Sequence, residues 1–335
     1  MLEIHFYALY INKKQIGKSF FWYYNREDEI VISKMEMHQM KEMLRNFCNS
    51  IHIECMGIAG IGPYWELERI LKERIDKGQY TEFEEKDLKK RIDPKVTMEN
   101  VQSIIVCIFP YYVGEQPEAN IARYTYGLDY HTVIRDKLET IGNVLKKQLP
   151  EFEYKAYVDN GPLVDRYLAY LAGLGFYGIN SHIITEKYGS YVAIGYILTN
   201  YPFTVDKPLQ RTCLQCGQCS KACPGEIILG NFAIDPRRCK SYLTQKKGEL
   251  TADEIKIIKK TNLVFGCDSC QDVCPHNSQI VLSNIREFQE NIVQQLSYEE
   301  LMSISNKEFS RRYGDRAFSW RGKKLIVRNF EYIMH

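Results

Sequence analysis

Eight cysteines between Cys213 and Cys274 constrain this chain more than any other feature of its sequence. The run CLQCGQCSKACP has the spacing CxxCxxCxxxCP, in which three thiolates hold one 4Fe–4S cluster and the fourth ligates the other cluster of a pair. The run GCDSCQDVCP is one ligand short, and Cys239 stands alone between the two runs. The sequence therefore predicts two clusters, with Cys213, Cys216, Cys219 and Cys274 on cluster 1 and Cys223, Cys239, Cys267 and Cys270 on cluster 2.

Two zinc sites are the alternative, because paired CxxC units also bind zinc tetrahedrally. The proline after the last cysteine of each run, together with the spacing, favours iron and sulfur. Every iron of such clusters already has its thiolate, so the clusters would carry electrons rather than bind substrate. The reaction must then take place elsewhere in the chain or on a further cofactor.

The cysteines also indicate the compartment. Cytosolic reductants oppose structural disulfides, so a cytoplasmic chain with 11 cysteines must keep them as thiols or metal ligands. No apolar run approaches the roughly 20 residues that cross a bilayer. Lys plus Arg (44) nearly balance Asp plus Glu (42), so an anionic ligand must be met by local patches. We expect a cytoplasmic protein without a membrane partner, with the isolated Cys48, Cys55 and Cys107 as small buried side chains.

Apolar periodicity predicts an α+β (mixed α/β) fold. A helix begins near Met35, charged helix continues through EFEEKDLKKRID, and SIIVCIFPYY is a buried strand. The segment HIITEKYGSYVAIGYILTN is predicted to form a hairpin that turns at EKYG. The predicted domains are an N-terminal extension (1–34), a sheet-and-helix domain (35–205), a small helical ferredoxin-like domain with both clusters (206–280) and a short basic helical C-terminal segment (281–335).

Five segments together resemble the epoxyqueuosine reductases. They are VDNGPLVDRYLAYLAGLGFYGINSHIITEKYGSYVAIGYILTN, CLQCGQCSKACPGEI, DPRRCKSYLTQKKGEL, FGCDSCQDVCPHN and SNKEFSRRYGDRAFSWRGKK, in the order that the family has. The resemblance implies a cobalamin-dependent iron–sulfur enzyme of the last step of queuosine synthesis. Such an enzyme reduces epoxyqueuosine to queuosine at the wobble position of the tRNAs for aspartate, asparagine, histidine and tyrosine. An external low-potential donor would supply the electrons, which pass from the clusters to cobalamin, and we expect a monomer.

By this resemblance, Asp159 in VDNGP donates a proton to the opening epoxide. A donor must be protonated near neutral pH, so we expect an apolar pocket that raises the pKa of Asp159. Without the resemblance, the glycine and proline that follow Asp159 indicate a helix N-cap or a turn residue. His131 in GLDYH is a second candidate for proton handling or substrate contact, and its alternative is an ordinary histidine on a helix surface or in the core.

The resemblance also implies a base-off cobalamin without a protein histidine on cobalt. The DxHxxG motif of proteins that supply such a histidine is absent, because Asp129-Tyr-His131 continues with Thr-Val. Arg91, one of the cobalamin contacts that the resemblance implies, fits equally well as one charge of a solvated helix. The family usually has lysine where this chain has Ile179, and a cation lost beside the cofactor or substrate would weaken binding or shift the protein to a related substrate. We do not expect the change to be disabling, because Asp159 and all eight thiolates are present. The implied cobalamin contacts are Arg91, Ala122, Asp159, Asn180, Ile183, Ile194, Ser241, Cys267 and Asp268.

A basic and aromatic segment lies near the C-terminus. Between Lys307 and Arg328 there are eight Lys or Arg and two acids, interleaved with Phe309, Tyr313, Phe318 and Trp320. Positive charge binds phosphates and aromatic rings stack on unpaired bases, so the segment predicts an RNA surface; a solvated basic helix face is the alternative. The predicted tRNA contacts are Gln245, Lys246, Lys247, Arg321, Lys323 and Lys324.

Two other functions stay open at this point. The first is a paralogous cobalamin and iron–sulfur reductase that acts on a different epoxide or on a halide. The second is an electron-transfer or RNA-binding module without catalysis.

Overall fold

The computed structural model describes residues 34–149 and 151–335, so the predicted N-terminal extension lies outside the described residues apart from Lys34. The strands are β1 (Cys55–Ala59), β2 (Ser103–Pro110), β3 (Tyr154–Val158), β4 (Phe176–Tyr177), β5 (Ile183–Ile184), β6 (Val192–Thr199), β7 (Ile228–Gly230) and β8 (Ala233–Ile234). The helices are α1 (Lys34–Ser50), α2 (Trp65–Asp76), α3 (Leu88–Ile92), α4 (Tyr130–Gln148), α5 (Asp165–Leu171), α6 (Gln218–Ala222), α7 (Lys240–Leu243), α8 (Ala252–Ile258), α9 (Ser269–Asp272), α10 (Arg286–Gln289), α11 (Tyr298–Ser303), α12 (Asn306–Tyr313) and α13 (Lys323–Met334). None of these helices is long and apolar enough to cross a membrane.

The centre of the fold is a four-stranded antiparallel sheet with the strand order β1-β2-β6-β3. All residues of β2 are buried, which explains why this strand reads as a continuous apolar run rather than an alternating one. Its odd-numbered residues pack in one core with α1 and α4, and its even-numbered residues pack in a second core with α2 and α5. Because successive side chains of a strand point to opposite faces, the sheet is covered by helices on both sides.

The predicted hairpin over residues 182–200 is wrong. The strand β6 is paired with β2 along one edge and with β3 along the other, so it has no free edge for β5. Instead, β5 pairs with β4, where Gly175 allows a close approach: an added Cβ would lie 2.6 Å from the Cγ2 atom of Ile183. The turn expected at EKYG does form, because Thr185 and Gly189 make an antiparallel bridge.

Two further predictions differ from the structure. The charged helix expected over EFEEKDLKKRID is reduced to α3, because the side chain of Asp87 accepts hydrogen bonds from the backbone of Lys89 and Lys90 and so begins the helix there. The short strand β1 has no counterpart in the prediction. Of the isolated cysteines, Cys48 and Cys107 are fully buried as predicted, whereas Cys55 at the start of β1 is half-buried.

The cysteine-rich segment is fastened to the sheet region and to the C-terminal helices. Ile121 forms a parallel bridge with Phe265, two residues before Cys267. The amide of the fully buried Asn329 on α13 donates to the carbonyl oxygens of Thr244 and Val264, each at 2.8 Å. Leaving this buried amide without acceptors would destabilise the folded protein. Asn329 therefore holds α13 against the segment that carries Cys239 and Cys267.

Candidate active site

The eight cysteines of the constellation form two separate groups. Burial raises the pKa of Cys219, and the neighbouring charges of Cys213, Cys274 and Cys216 raise it further. The same four residues line one cavity together. Burial also raises the pKa of Cys270, with added repulsion from Cys239, Cys267 and Cys223. Crowded thiols of this kind become thiolates when a positively charged iron centre compensates their mutual repulsion.

The spacing within the groups bears on the zinc alternative. Four thiolates on one zinc ion would lie roughly 3.8 Å apart, given a zinc–sulfur distance of about 2.3 Å in a tetrahedron. Within residues 34–149 and 151–335, no group of three or more His, Cys, Asp or Glu is arranged to hold a single metal ion. An iron–sulfur cluster is larger than an ion and needs thiolates that stand further apart.

Cluster 2 has a histidine neighbour that the sequence did not reveal. The Nε2 atom of His182 lies 3.8 Å from the Sγ atom of Cys270. Burial and the charge of Arg166 lower the pKa of His182 to about 4, so its ring is neutral at physiological pH. A neutral imidazole can donate one N–H to the cysteine sulfur, and hydrogen bonds to ligand sulfurs are one way in which proteins set cluster potentials.

Asp159 follows β3 in a left-handed backbone conformation, with φ of +53°. It is a turn residue and not a helix N-cap, because α5 begins six residues later with Val164 as its N-cap. Non-glycine residues in this region are uncommon and often lie at functional sites. The turn directs the carboxylate to two side chains of α4: the hydroxyl of Tyr130 donates to its Oδ2 atom at 2.6 Å, and the Nε2 atom of His131 lies 3.3 Å from the same oxygen.

His131 stands between two carboxylates. Its Nδ1 atom lies 2.8 Å from the Oδ1 atom of Asp129, which also accepts from the backbone N–H of His131 as the N-cap of α4. Burial works to lower the pKa of His131, but its contacts with Asp129 and Asp159 outweigh burial and raise this pKa to about 9. His131 is therefore an imidazolium at neutral pH.

The expected rise in the pKa of Asp159 is wrong. Although the side chain is half exposed, neighbouring residues desolvate the carboxylate, which works to raise its pKa. The contacts with His131 and Tyr130 and the charge of Arg166 outweigh desolvation, so the pKa of Asp159 is lowered. The surroundings of this carboxylate are cationic and hydrogen-bonding rather than apolar, and the exchangeable proton lies on His131.

Arg166 on α5 connects several predicted contact residues, and the sequence did not single it out. Its positive charge contributes to lowering the pKa of Asp159, His182 and Arg91. Its guanidinium donates to the carbonyl oxygen of Ser181 at 2.6 Å. Arg91 is not a solvated helix charge, because its side chain is 15% exposed and pairs with Glu84 at 3.0 Å. One side of the site is therefore built around two arginines.

A second group of predicted cobalamin contacts surrounds cluster 2. The N–H of Ala122 donates to the carbonyl oxygen of Phe265, which places Ala122 beside Cys267. Asp268 is buried and accepts from the backbone N–H of Arg123 at 2.7 Å. The carbonyl oxygen of Ser241 accepts from the side chain of Gln245.

The remaining contacts lie in or near the pair of strands β4 and β5. Ile183 and Ile194 are buried on β5 and β6 in the core that also contains α5. Asn180 is 6% exposed, and its Nδ2 atom has no hydrogen-bond partner among the described residues. Ile179 lines the cavity of cluster 1, so the departure from the family pattern lies beside that cluster.

The predicted RNA surface is smaller than the sequence suggests. Lys323 donates to the carbonyl oxygens of Leu301 and Ile304 at the end of α11, and Lys246 pairs with Glu254 at 2.6 Å. Phe309 and Phe318 are buried in the core of the C-terminal helices, and Tyr313 is partly buried there. Lys247, Lys324 and the half-exposed Trp320 are exposed, and Trp320 contacts Arg321 and Gln245. Lys307, Arg311 and Arg312 are exposed as well, but both arginines pair with Glu308.

Two family models match parts of the chain. "Epoxyqueuosine reductase QueG, DUF1730" matches residues 91–160, which include Asp129, His131 and Asp159. "4Fe-4S double cluster binding domain" matches residues 212–277, which include all eight cysteines of the two groups. The second match identifies the cysteine constellation as a double 4Fe–4S cluster site rather than a pair of zinc sites.

Relatives that match most of the chain are epoxyqueuosine reductases. The epoxyqueuosine reductase of Bacillus cereus is 35% identical over 306 residues, which cover 88% of this chain and 80% of the relative. That of Listeria monocytogenes is 36% identical over 310 residues, which cover 90% and 81%. A crystal structure of a selenomethionine-labelled epoxyqueuosine reductase matches with a TM-score of 0.84 at 32% identity, over 89% of this chain and 82% of that one. An epoxyqueuosine reductase crystallised with an epoxyqueuosine-modified tRNA-Tyr stem loop matches with a TM-score of 0.82 at 33% identity, over 89% and 81%.

Proposed function

The chain belongs to the epoxyqueuosine reductase family, and from this membership we propose that it reduces epoxyqueuosine to queuosine at the wobble position of tRNA. The observation that supports this most directly is the convergence of an electron source and a proton source. Cys270 of cluster 2 contacts His182, and Arg166 acts on both His182 and Asp159. Removing an epoxide oxygen as water consumes two electrons and two protons, so the reaction needs both sources at one place.

The direct test is conversion of the substrate. Protein with both clusters, supplied with cobalamin and a low-potential reductant under anaerobic conditions, should convert epoxyqueuosine in tRNA to queuosine, as measured by mass spectrometry of the digested nucleosides. Failure of the fully loaded protein to form queuosine would overturn the proposal.

We further propose that cobalamin lies between the sheet and cluster 2. One residue fits a corrin directly: the Nδ2 atom of the buried Asn180 is available to donate to a peripheral carbonyl. Ile183 and Ile194 remain proposed contacts, although both side chains are buried in the core beside α5. The other proposed contacts are Arg91, Ala122, Asp159, Ser241, Cys267 and Asp268. When bound, cobalamin would supply the electron pair that opens the epoxide, in a form reduced through the clusters.

The residues of this chain would supply the protons. His131 holds a proton at neutral pH, and its Nε2 atom lies 3.3 Å from the Asp159 carboxylate that would face the departing oxygen. Asp159 would accept this proton from His131 and pass it to the departing oxygen. The His131 side chain is 33% exposed, so it can exchange with solvent and provide the second proton that water formation needs.

The pH dependence of kcat/KM should report His131. The imidazolium exists below its pKa of about 9, so kcat/KM should be nearly constant between pH 6.5 and 8 and should fall about tenfold per pH unit above pH 9. His131→Gln should remove this limb, whereas His38→Gln, on the exposed side of α1, should retain it. A tenfold fall per pH unit already between pH 5 and 7 would mean that Asp159, with its lowered pKa, holds the proton by itself.

The partner surface is proposed to include Lys247 and Lys324, which are both exposed. Lys247 and Lys324 have no acidic partner among the described residues, so both are available to phosphates. The double variant Lys247→Gln/Lys324→Gln should weaken binding of an anticodon stem loop and reduce the slope of log K against log salt by roughly 1.5 to 2. Lys146→Gln is the matched control, because it is exposed near the far end of α4. An unchanged salt slope in the double variant would exclude these contacts.

The finer identity of the partners is part of the proposal. The substrates would be the tRNAs for aspartate, asparagine, histidine and tyrosine, and an external low-potential protein would donate electrons to a cytoplasmic monomer. Within the chain, residues 35–205 would bind cobalamin, residues 206–280 the clusters, and residues 281–335 would contribute to the RNA surface.

A further inference from the structure

Three side chains form an aromatic and cationic platform on the surface, composed of Phe83, Trp320 and Arg321. The guanidinium carbon of Arg321 lies 3.9 Å from the centre of the Trp320 ring and 5.3 Å from that of Phe83. Phe83 and Trp320 meet edge to face with centroids 5.7 Å apart. Trp320 nevertheless remains 52% exposed, so much of the indole is left free.

The platform is ordered before any ligand arrives. The indole Nε1 atom of Trp320 donates to the Oε1 atom of Gln245 at 3.0 Å, and Gln245 in turn donates to the carbonyl oxygen of Ser241 at 2.9 Å. Phe83 also packs edge to face on Tyr242 with centroids 5.3 Å apart. A half-exposed tryptophan whose orientation is fixed loses little conformational entropy when a flat ligand stacks on it.

The charge of the platform selects an anionic ligand. Arg321 has no acidic partner among the residues that the structure describes, and its Nε atom is buried without a hydrogen-bond acceptor. Trp65 is also exposed, at 66%, but its surroundings are acidic, because the first turn of its helix α2 carries Glu66 and Glu68. A flat, cationic and preordered surface fits a nucleobase with its phosphate, since bases stack on aromatic rings and arginine pairs with phosphate.

The platform is close to the proton-handling residues. Gln245 donates to the hydroxyl of Tyr124 at 3.4 Å, and the ring of Tyr124 meets that of Tyr130 with centroids 6.0 Å apart. Tyr130 donates to Asp159. One glutamine and two tyrosines thus connect Trp320 to Asp159 through direct contacts.

We propose that Trp320, with Arg321 and Phe83, stacks on the unpaired base next to the modified nucleotide of the anticodon loop. This assignment rests on the proposed function. An enzyme that acts on a base must take it out of its stack, and the neighbouring base then loses a stacking partner that the platform replaces. Because stacking tolerates any base, the platform would position the loop without reading its sequence.

The test uses an unmodified anticodon stem loop with 2-aminopurine on one or the other side of the wobble nucleotide, and protein with both clusters. Stacking on the indole should quench the 2-aminopurine fluorescence at one of the two positions. Trp320→Ala should abolish this quenching and weaken binding roughly 5- to 150-fold. Trp320→Phe should retain most of both, and Trp65→Ala should leave both unchanged.

Each variant is checked for iron content, so that a folding defect is recognised, and Trp320→Phe provides a conservative replacement if Trp320→Ala does not fold. Quenching at neither position, or quenching that persists in Trp320→Ala, would overturn the platform. The assay contains no epoxide and measures no turnover. Its failure is therefore distinguishable from failure of the reductase activity, which the conversion of epoxyqueuosine tests separately.

Discussion

Asp159→Asn is expected to lower kcat for queuosine formation by roughly 10²- to 10⁴-fold, the range typical of a lost general acid. The amide keeps the shape of the side chain and can still accept from Tyr130, but it cannot pass a proton from His131 to the departing oxygen. Single-turnover conversion of epoxyqueuosine-containing tRNA, followed by mass spectrometry, measures the effect. Binding of the stem loop should change little, because the loss falls on the chemical step.

A neighbouring acid provides the control for this variant. Asp136 is exposed on α4, outside the contacts between Asp129, His131 and Asp159, so Asp136→Asn should stay within about twofold of the parent chain. Full turnover by Asp159→Asn would show that the proton reaches the oxygen by another route.

Cys223→Ser is expected to reduce bound iron from about eight to about four atoms per chain and to abolish turnover. Cys223 belongs to the group of Cys239, Cys267 and Cys270, and this group has no spare thiol to take its place. Cluster 2 would be lost while cluster 1 keeps its four ligands. Iron and sulfide analysis of anaerobically purified protein, with electron paramagnetic resonance of the reduced sample, measures the outcome.

Cys55→Ser is the matched control for the cluster variant. Cys55 is half-buried on β1 and belongs to neither group of ligands, so the variant should keep about eight irons. If Cys223→Ser also kept about eight irons and its activity, the ligand assignment of cluster 2 would be wrong.

The cysteine groups could be predicted from sequence because their ligands are set by local spacing. The runs CxxCxxC and CxxC place their sulfurs on single turns of chain, so little else of the fold is needed to bring them together. Cys274 is assigned to the first group because the last cysteine of such a run ligates the other cluster of the pair, and the structure places it beside Cys213, Cys216 and Cys219. The buried strand β2 was equally readable, since only a strand covered on both faces is apolar throughout.

Other features depend on residues distant in sequence and could not be read in the same way. The pairing of β5 depends on β6 having both edges occupied, by residues 37 to 96 positions away in the chain, which no local pattern records. The state of Asp159 depends on Tyr130 and His131, which reach it from α4. The motif VDNGP drew attention to Asp159, but its contacts with Tyr130 and His131, which lower its pKa, are visible only in the fold.

The basic C-terminal segment shows the same limit. Eight cations in sequence suggested a broad surface, yet Lys323 is used to cap α11 and Arg328 donates to the backbone of Lys246. Long basic side chains often satisfy buried carbonyl groups, and composition cannot separate this use from phosphate binding.

The hydrogen bonds from Asn329 to Thr244 and Val264 have a consequence for how the enzyme would select its substrate. Because these hydrogen bonds hold α13 against the cluster-bearing segment, the surface that the two share is already formed before RNA binds. An RNA loop that does not fit this surface would have to deform in order to bind, so discrimination between RNAs would depend on how easily each loop deforms.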